Sequence, residues 1–266
     1  MPKCSIIYND SKIHIVKFHA SLTEYLEKSG FSIIPDDRIN EAAFVFVLGG
    51  DGTLLRAART LCGLETPVIA VNMGNLGFLT EIKEEEIFSV IDDLESGNYE
   101  IDKRYFLEYE LNGENNYALN DVVLAKSGII SRMISVDVFI NSDYVNTYRA
   151  DGVIVSTPTG STGYSLSAGG PIVNPKLKAM VITPIAPHTL NARPIVISGN
   201  DKLTFKIPDK NADVCFMIDG QSNAEICSAD SITVSMSERH INLVKPKNRS
   251  YYAVLREKLK WSTNLC

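Results

Sequence analysis

The stretch Phe44-Val45-Phe46-Val47-Leu48-Gly49-Gly50-Asp51-Gly52-Thr53-Leu54-Leu55-Arg56-Ala57-Ala58-Arg59-Thr60-Leu61 decides the fold. Its opening run, Phe44 to Leu48, is β-branched and aromatic, which suits a buried strand. Leu54 to Leu61 reads as a helix. A glycine turn joins them, and in α/β proteins such a turn is where phosphate binds. Glycine lets the backbone come close, and the unpaired N–H groups of the helix start attract anions. Asp51 is the odd member. A carboxylate beside a phosphate site is repulsive unless it holds a metal or takes a proton. That makes Asp51 the candidate catalytic residue and a candidate metal ligand. The plainer alternative is an ordinary turn in which Asp51 caps its own helix.

Outward from this turn, residues 1 to about 100 alternate strand and helix signals. Cys4–Tyr8, Phe31–Ile34, Phe44–Leu48 and Pro67–Val71 read as strands. Lys12–Ser29 reads as a helix with Ile15, Leu22, Tyr25 and Leu26 on one face, ended by Gly30. Glu84–Leu94 is a helix whose acidic start complements its dipole. This alternation implies parallel βαβ units. From about residue 101 the pattern becomes strand-like. Tyr105–Leu111 runs into an Asn112-Gly113 turn, and Val136–Asn141, Leu203–Ile207 and Ile232–Met236 follow. The expected fold is an N-terminal α/β domain (1–100) with the GGDGT turn and an all-β C-terminal domain (101–249). The tail, about 250–266, carries Tyr252, Leu255 and Leu259 at helical spacing, an apolar face that needs a partner.

The bulk numbers remove several classes. The 266 residues are 45% hydrophobic and 22% charged, a globular composition. A net charge of −6 gives no support for nucleic-acid binding, so an anionic substrate must be held by local dipoles, metal and a few basic side chains. The five cysteines (Cys4, Cys62, Cys215, Cys227, Cys266) are odd in number and scattered, with no Cys-x-x-Cys pair. Reduced thiols in a cytoplasmic protein are expected. Met1-Pro2-Lys3-Cys4 leads straight into a strand-like segment, and no apolar run reaches membrane-spanning length, so neither leader nor membrane contact is expected.

Four further segments have the composition of a binding site. Asn72-Met73-Gly74-Asn75-Leu76-Gly77-Phe78-Leu79 follows the Pro67–Val71 strand, at a strand C-terminal end where open α/β sheets bind ligands. Phe78 is a candidate to stack on a planar ring, or a core contact. Asn120-Asp121 offers donor and acceptor to a polyol such as ribose, or forms a turn. Arg149 to Ser165 passes from a strand, Val153–Val155, into nine residues dominated by Gly, Ser, Thr and Pro. Hydroxyls and amides at that density suit sugar and phosphate oxygens, and Tyr164 argues for an ordered site over a linker. Thr183 to Pro194 holds three prolines and His188, a lone histidine left out of the catalytic set. There is no Gly-x4-Gly-Lys-Ser/Thr loop, protein-kinase motif set or His-Glu-x-x-His. No Gly-x-Gly-x-x-Gly follows the first strand.

In this order the segments resemble the ATP-dependent NAD kinases over nearly the whole chain. The resemblance rests on Gly49–Thr53, Asn72–Phe78, Asn120-Asp121, Asp151–Ser167 and Ile185–Arg193. It implies the two-domain fold, with ligand between the domains and the C-terminal helix returning to the N-terminal one. It implies phosphoryl transfer from ATP to the 2′-hydroxyl of the adenosine ribose of NAD, a divalent metal, usually magnesium, and a homo-oligomer, commonly a tetramer. Asp51 then matches the aspartate essential for transfer, and Gly50 and Gly52 let substrate approach it. Phe78 lies near adenine and ribose. Asn120 and Asp121 match an NAD-binding pair, many members having Glu at the second position. Asp151 and Ala186 match positions at the nicotinamide end. Thr162 and Tyr164, with Gly163 between them, match the adenine side. Ser156 and Ser167 are further matches, and Arg149 is placed to reach a phosphate. Two rival functions keep parts of this pattern. A diacylglycerol-type lipid kinase shares GGDGT but wants an apolar groove, which Thr157–Ser165 does not offer. A non-catalytic nicotinamide-nucleotide sensor would gain little from Asp51.

Overall fold

The computed structural model describes residues 1–111, 113–127, 132–209, 212–226, 231–245 and 249–261, with backbone alone for 222–226. The chain forms two units, Met1–Lys103 with Ile241–Cys266, and Arg104–His240.

The first unit runs β1 (Lys3–Tyr8), α1 (Ile13–Lys28), β2 (Ser32–Ile33), β3 (Phe44–Gly49), α2 (Asp51–Leu61), β4 (Pro67–Asn72), β5 (Ile82–Lys83) and α3 (Ile87–Glu95). Its sheet is parallel in the order β4-β3-β1-β2, with β5 beside the end of β4. Strand alternation explains the packing. Cys4, Ile6, Phe46, Leu48, Ile69 and Val71 share a cluster with Ile15, Phe18, Leu22 and Leu26 of α1 and Ile87, Ile91 and Leu94 of α3. Val45, Val47 and Val68 point the other way and are fully buried as well. A sheet buried on both faces needs continuous apolar strands, which is what Phe44–Leu48 and Pro67–Val71 are. At the end of α1 the Gly30 N–H bonds Glu27 O (3.1 Å) and the Phe31 N–H bonds Leu26 O (2.9 Å). This closure needs a left-handed residue, and Gly30 supplies it at φ +82°. Phe18 joins the buried face of α1, whereas Tyr25 stays at its edge with its hydroxyl 3.3 Å from Asp92. The acidic start at Glu84–Glu86 is a 3-10 turn, and α3 begins only at Ile87.

The strand β6 (Glu100–Leu111) leads into the second unit. There follow β7 (Glu114–Ala118), β8 (Asp121–Lys126), β9 (Ile134–Ile140), β10 (Asp143–Ala150), β11 (Gly152–Ser156), α4 (Tyr164–Ser167), β12 (Ala179–Ile185), β13 (Ile195–Ser198), β14 (Lys202–Lys206), β15 (Val214–Ile218), β16 (Ser222–Ile226) and β17 (Ser231–Lys245). The β6–β7 hairpin closes with Leu111 opposite Glu114 and Gly113 at φ +80°, while Asn112 of the expected turn lies outside the described residues. Two antiparallel sheets form, β10-β9-β14-β17 and β13-β12-β11-β8-β15-β16. Val122, Leu124, Val153, Val155, Met180, Ile182 and Phe216 of one share a core with Val136, Val138, Phe205 and Val234 of the other. Alternation therefore turns Asp121, Ser156, Val181 and Thr183 to the opposite face of the six-stranded sheet. Residues 157–174 cover that face: Ser165 Oγ and Thr183 Oγ1 are 2.8 Å apart, and Val173 clusters with Val181. The unit is thus mostly, not purely, β. Gly160–Thr162 and α4 are short helical turns, hidden in the sequence because Ser, Thr and Gly favour caps and loops.

The end of β17 returns to the first unit, where Asn242 and Leu243 pair in parallel with Pro67 and Val68. The closing helix α5 (Tyr251–Lys258) belongs to the same unit, and the Ser250 hydroxyl caps it by accepting from Ala253 N–H (3.1 Å). Its buried residues are Val254 and Leu255. This corrects the expected Tyr252/Leu255/Leu259 face: Tyr252 is 59% exposed, and Leu259 lies past the last turn. Arg249 anchors the start of the helix by donating to Glu81 O and to the Glu86 carboxylate, 3.2 Å away. Residues 262–266 of the expected helix lie outside the described residues.

Candidate functional site

The C-terminal ends of β1, β3 and β4 lie along one edge of the parallel sheet, the edge where such sheets hold ligands. Asp51 opens α2 there, with Gly50 as the N-cap residue and no side-chain cap. The plain helix-capping alternative for Asp51 is therefore wrong. Its carboxylate reaches across to the loop after β4. Oδ1 accepts from Leu79 N–H (3.1 Å), Thr80 N–H (3.1 Å) and the Thr80 hydroxyl (3.0 Å), and Oδ2 accepts from Phe78 N–H (2.9 Å). Asn72 continues the network. Its Nδ2 donates to Thr80 Oγ1 (2.9 Å) and Asn75 O (2.8 Å), and its Oδ1 accepts from Gly74 N–H (2.9 Å). Gly77 is required by close approach, since a Cβ there would fall on Asp51 Oδ1 and Thr80 Oγ1. Gly50 and Gly52 are exposed, and nothing lies within 4 Å of where a Gly50 Cβ would stand. Phe78 is half-buried, with the Lys258 ammonium of α5 5.4 Å from its ring centre. A cavity of about 470 Å³ opens at the end of β1, lined by Tyr8, Asp10, Asp36, Arg56 and Thr60 among others.

In the second unit Asn120 and Asp121 sit where β8 begins. The carboxylate of Asp219, in the turn after β15, accepts from Leu119 N–H (3.1 Å), Asn120 N–H (2.7 Å) and Asp121 N–H (3.2 Å). Asp219 holds φ +50°, a conformation that aspartate tolerates better than most residues. Thr157 ties the segment to the hydroxyl-rich stretch. Its N–H bonds Asn120 O (2.9 Å), its hydroxyl bonds Leu119 O (2.7 Å), and Gly160 N–H bonds that hydroxyl (3.0 Å). Gly160 is packed so closely that a Cβ would overlap Asn120 O. Gly163 faces the pair: a Cβ there would meet Asn120 Nδ2 at 3.7 Å and Asp121 Oδ2 at 3.9 Å. Thr162 is partly buried, its hydroxyl donating to Thr159 O (3.2 Å), while Tyr164 is 44% exposed and Ser167 is exposed. Ser156 is cross-strand from Asp121, fully buried, and its hydroxyl has no partner. It lies under this group of residues rather than on its surface. Asp121 is 4% exposed, and burial, with the Asp219 charge adding to it, pushes its carboxyl up to about 7.

The remaining sequence-predicted residues fall elsewhere in the same unit. Asp151 precedes β11, whose other end is Ser156, and its carboxylate pairs with Lys126 (2.8 Å). Asp151 N–H bonds Ile185 O (3.0 Å), and next to Ile185 sits exposed Ala186 at φ +43°, a strained angle for alanine. Arg149 is exposed, and its carbonyl accepts from His188 N–H (2.9 Å). The structure therefore brings Asn120, Asp121, Thr162, Gly163 and Tyr164 together at one end of β11, and Arg149, Asp151, Ala186 and His188 at the other. At ~3.3 Å per residue these ends are roughly 15 Å apart.

Thr80 and Asp219 belong to these networks and were missed by the sequence reasoning, while Asn72 opens the quoted Asn72–Leu79 segment without having been singled out. The Asp219-Gly220 pair directly after a strand is a turn signal that pointed at Asp219; a single threonine such as Thr80 carries no signal. Among the described residues no three His, Cys, Asp or Glu side chains group to hold a metal. Magnesium, however, is commonly held by one or two carboxylates plus substrate phosphates, and Asp51 Oδ2, with one donor against three on Oδ1, has capacity left for such a role.

The family model for the ATP-NAD kinase N-terminal domain matches residues 35–99, and that for the ATP-NAD kinase C-terminal domain matches residues 119–246. The NAD kinase of Fusobacterium nucleatum is 41% identical over 267 residues, covering 100% of both chains. That of Geotalea daltonii is 45% identical over 231 residues, 85% of this chain and 81% of its own. Among solved structures, an NAD kinase from Archaeoglobus fulgidus in complex with ATP has a TM-score of 0.82 at 26% identity, covering 97% of this chain and 98% of its own. The yeast NADH kinase complexed with NADH, at 24% identity, shares the fold at a TM-score of 0.92, covering 100% of this chain and 89% of its own. The matched segments contain the Asp51 turn with its β4 loop and the Asp219-braced Asn120-Asp121 corner, and the chain belongs to the ATP-NAD kinase family.

Proposed function

We infer that the chain is an NAD kinase, transferring the γ-phosphoryl group of ATP to the 2′-hydroxyl of the adenosine ribose of NAD to give NADP and ADP. The observation that carries this reading is the Asp51 carboxylate, held by four donors of the β4 loop at the strand ends with Oδ2 the less occupied oxygen. Phosphoryl transfer needs positioning and charge neutralisation more than covalent help. We assign to Oδ2 the contact with the reacting groups, and to the exposed Gly50 and Gly52 the room for phosphate oxygens beside the α2 N-terminus. Magnesium carried on the ATP phosphates supplies charge neutralisation when bound, and Asp51 is the carboxylate that would hold it. The cavity at the end of β1 is our choice for the ATP nucleoside, with Asp10 and Asp36 as acceptors for ribose hydroxyls and Arg56 as a cation.

Asn120 and Asp121 take the NAD ribose hydroxyls, and Thr162, Gly163 and Tyr164 take the adenine. Arg149, Asp151 and Ala186, at the other end of β11, take the nicotinamide end, since the length of a five-residue strand is within the reach of an extended dinucleotide. A homo-oligomer, a tetramer by resemblance, is part of the same reading. No helix among the described residues is long and apolar enough to cross a membrane. Cys4, Cys62 and Cys215 are free thiols, which supports a cytoplasmic setting. A coupled assay for NADP with ATP, NAD and Mg²⁺, run beside one with diacylglycerol as acceptor, tests the reading. NADP formation supports it, whereas NAD binding without turnover would make the chain a sensor.

A further inference from the structure

We propose that Asp121 gives up a proton to solvent when NAD binds, so that affinity for NAD rises with pH across neutrality. This rests on the assignment of Asn120 and Asp121 to the NAD ribose. Among the described residues the geometry is that of a carboxyl with no counter-ion. Asp121 is buried at the start of β8. Across the ladder stands Ser156, whose buried hydroxyl has no partner and brings no charge. From the helical turn, Gly163 presents backbone alone, and Asn120 beside it is an amide. From the turn after β15 comes Asp219, the one charged group acting on Asp121 among the described residues, and it is also an anion. Asp219 cannot swing away, because its carboxylate is committed to three successive backbone N–H groups.

Burial first, and then the Asp219 charge, push the Asp121 carboxyl up to about 7, so near neutral pH it enters binding as a mixture of acid and carboxylate. Ribose hydroxyls donate, and the form that accepts two donors is the carboxylate. Hydrogen bonds to the charged form favour it, so the carboxyl O–H bond breaks, its proton passes to buffer, and both oxygens accept from the sugar.

Calorimetric titration of the full-length protein with NAD from pH 6 to 8.5, in two buffers of different ionisation enthalpy, reads affinity and protons released. The expected result is about tenfold weaker binding at pH 6 than above pH 8, with about half a proton released at pH 7. Asp121→Asn, which cannot ionise, should bind more weakly than wild type at pH 8, with a flat profile and no proton release. Wild-type affinity that is flat, or that falls with rising pH, would overturn the proposal. So would an Asp121→Asn profile that keeps the wild-type slope. The wild-type proton count stands even where the variant folds poorly. NADP formation with a flat profile sinks the proton release alone, whereas a wild-type protein that neither binds NAD nor forms NADP at any pH sinks the NAD assignment with it.

Discussion

Asp51 and Asp219 do the same thing in different units. Each carboxylate gathers three successive backbone N–H groups, Phe78 to Thr80 in the first unit and Leu119 to Asp121 in the second. Their surroundings differ. Asp51 is half-buried at the N-terminus of α2, beside two exposed glycines. Asp219 is 7% exposed and lies beside a second carboxyl, Asp121. A carboxylate that braces a loop and keeps one face open can also serve chemistry. Asp219, with both oxygens taken by buried backbone N–H groups, holds shape, and its charge acts on its neighbour. The difference teaches that the hydrogen-bond pattern alone does not tell a carboxylate open to chemistry from one that only braces; burial and position at the helix start separate the two.

Making the same substitution at both positions probes the contrast. Asp219→Asn puts an amide N–H₂ against a cluster of N–H donors. Leaving buried donors unmatched costs about 1–3 kcal/mol each, so the second unit should lose about 2–4 kcal/mol. A melting temperature within a degree of wild type would break the claim that Asp219 is structural. Gly77→Ala tests the other brace from the loop side. The new Cβ falls on Asp51 Oδ1 and Thr80 Oγ1, which must give way. We expect a loss of about 1–3 kcal/mol and at least a tenfold fall in kcat, because overpacking costs that much and moves the reacting carboxylate. Unchanged kcat would show that the Asp51 position is not set by this loop.

The smallest effect concerns pH and sharpens the neighbour relation. The Asp121 carboxyl ionises near 4 when unfolded and is raised to about 7 in the folded protein. Its ionised form is the one that folding disfavours. The folded state is therefore favoured fully below pH 4, and that contribution is lost as pH rises through about 7. Asp121→Asn removes the ionisation. The variant should be more stable than wild type at pH 8 by roughly 1–3 kcal/mol, and the two should converge towards pH 4 in denaturant titrations. Equal stability at both pH values would mean that Asp121 is not held in a charge-poor corner.

Much of this was legible in the chain. Phe44–Leu48 and Pro67–Val71 read as apolar strands, and Gly30 marked the end of α1, because composition and a left-handed turn are local properties; burial on both faces is what the structure adds. GGDGT and Asn120-Asp121 announced themselves by residue type. What Asp51 bonds did not, since Phe78, Leu79 and Thr80 offer backbone N–H groups that any residue would offer. Asp219-Gly220 was visible as a turn, but what Asp219 braces was hidden because its partners are about a hundred residues away. The face of α5 was misread because helical spacing fits Tyr252 as well as Val254, and only packing chooses between them. The helical turn at Tyr164 was masked by hydroxyl residues that favour loops elsewhere.

The division of labour between the two braces stands or falls on Asp51→Asn, read by kcat for NADP formation together with NAD affinity and melting temperature. If Asp51 Oδ2 serves the reaction, kcat should fall by about 10²–10⁴, the usual worth of a positioned acid–base group, while NAD affinity stays within about threefold. The melting temperature should fall less than in Asp219→Asn, since water reaches the half-buried site. An Asp51→Asn protein that forms NADP at a near-normal kcat would contradict the account, leaving Asp51 a brace like Asp219 and the catalytic carboxylate elsewhere.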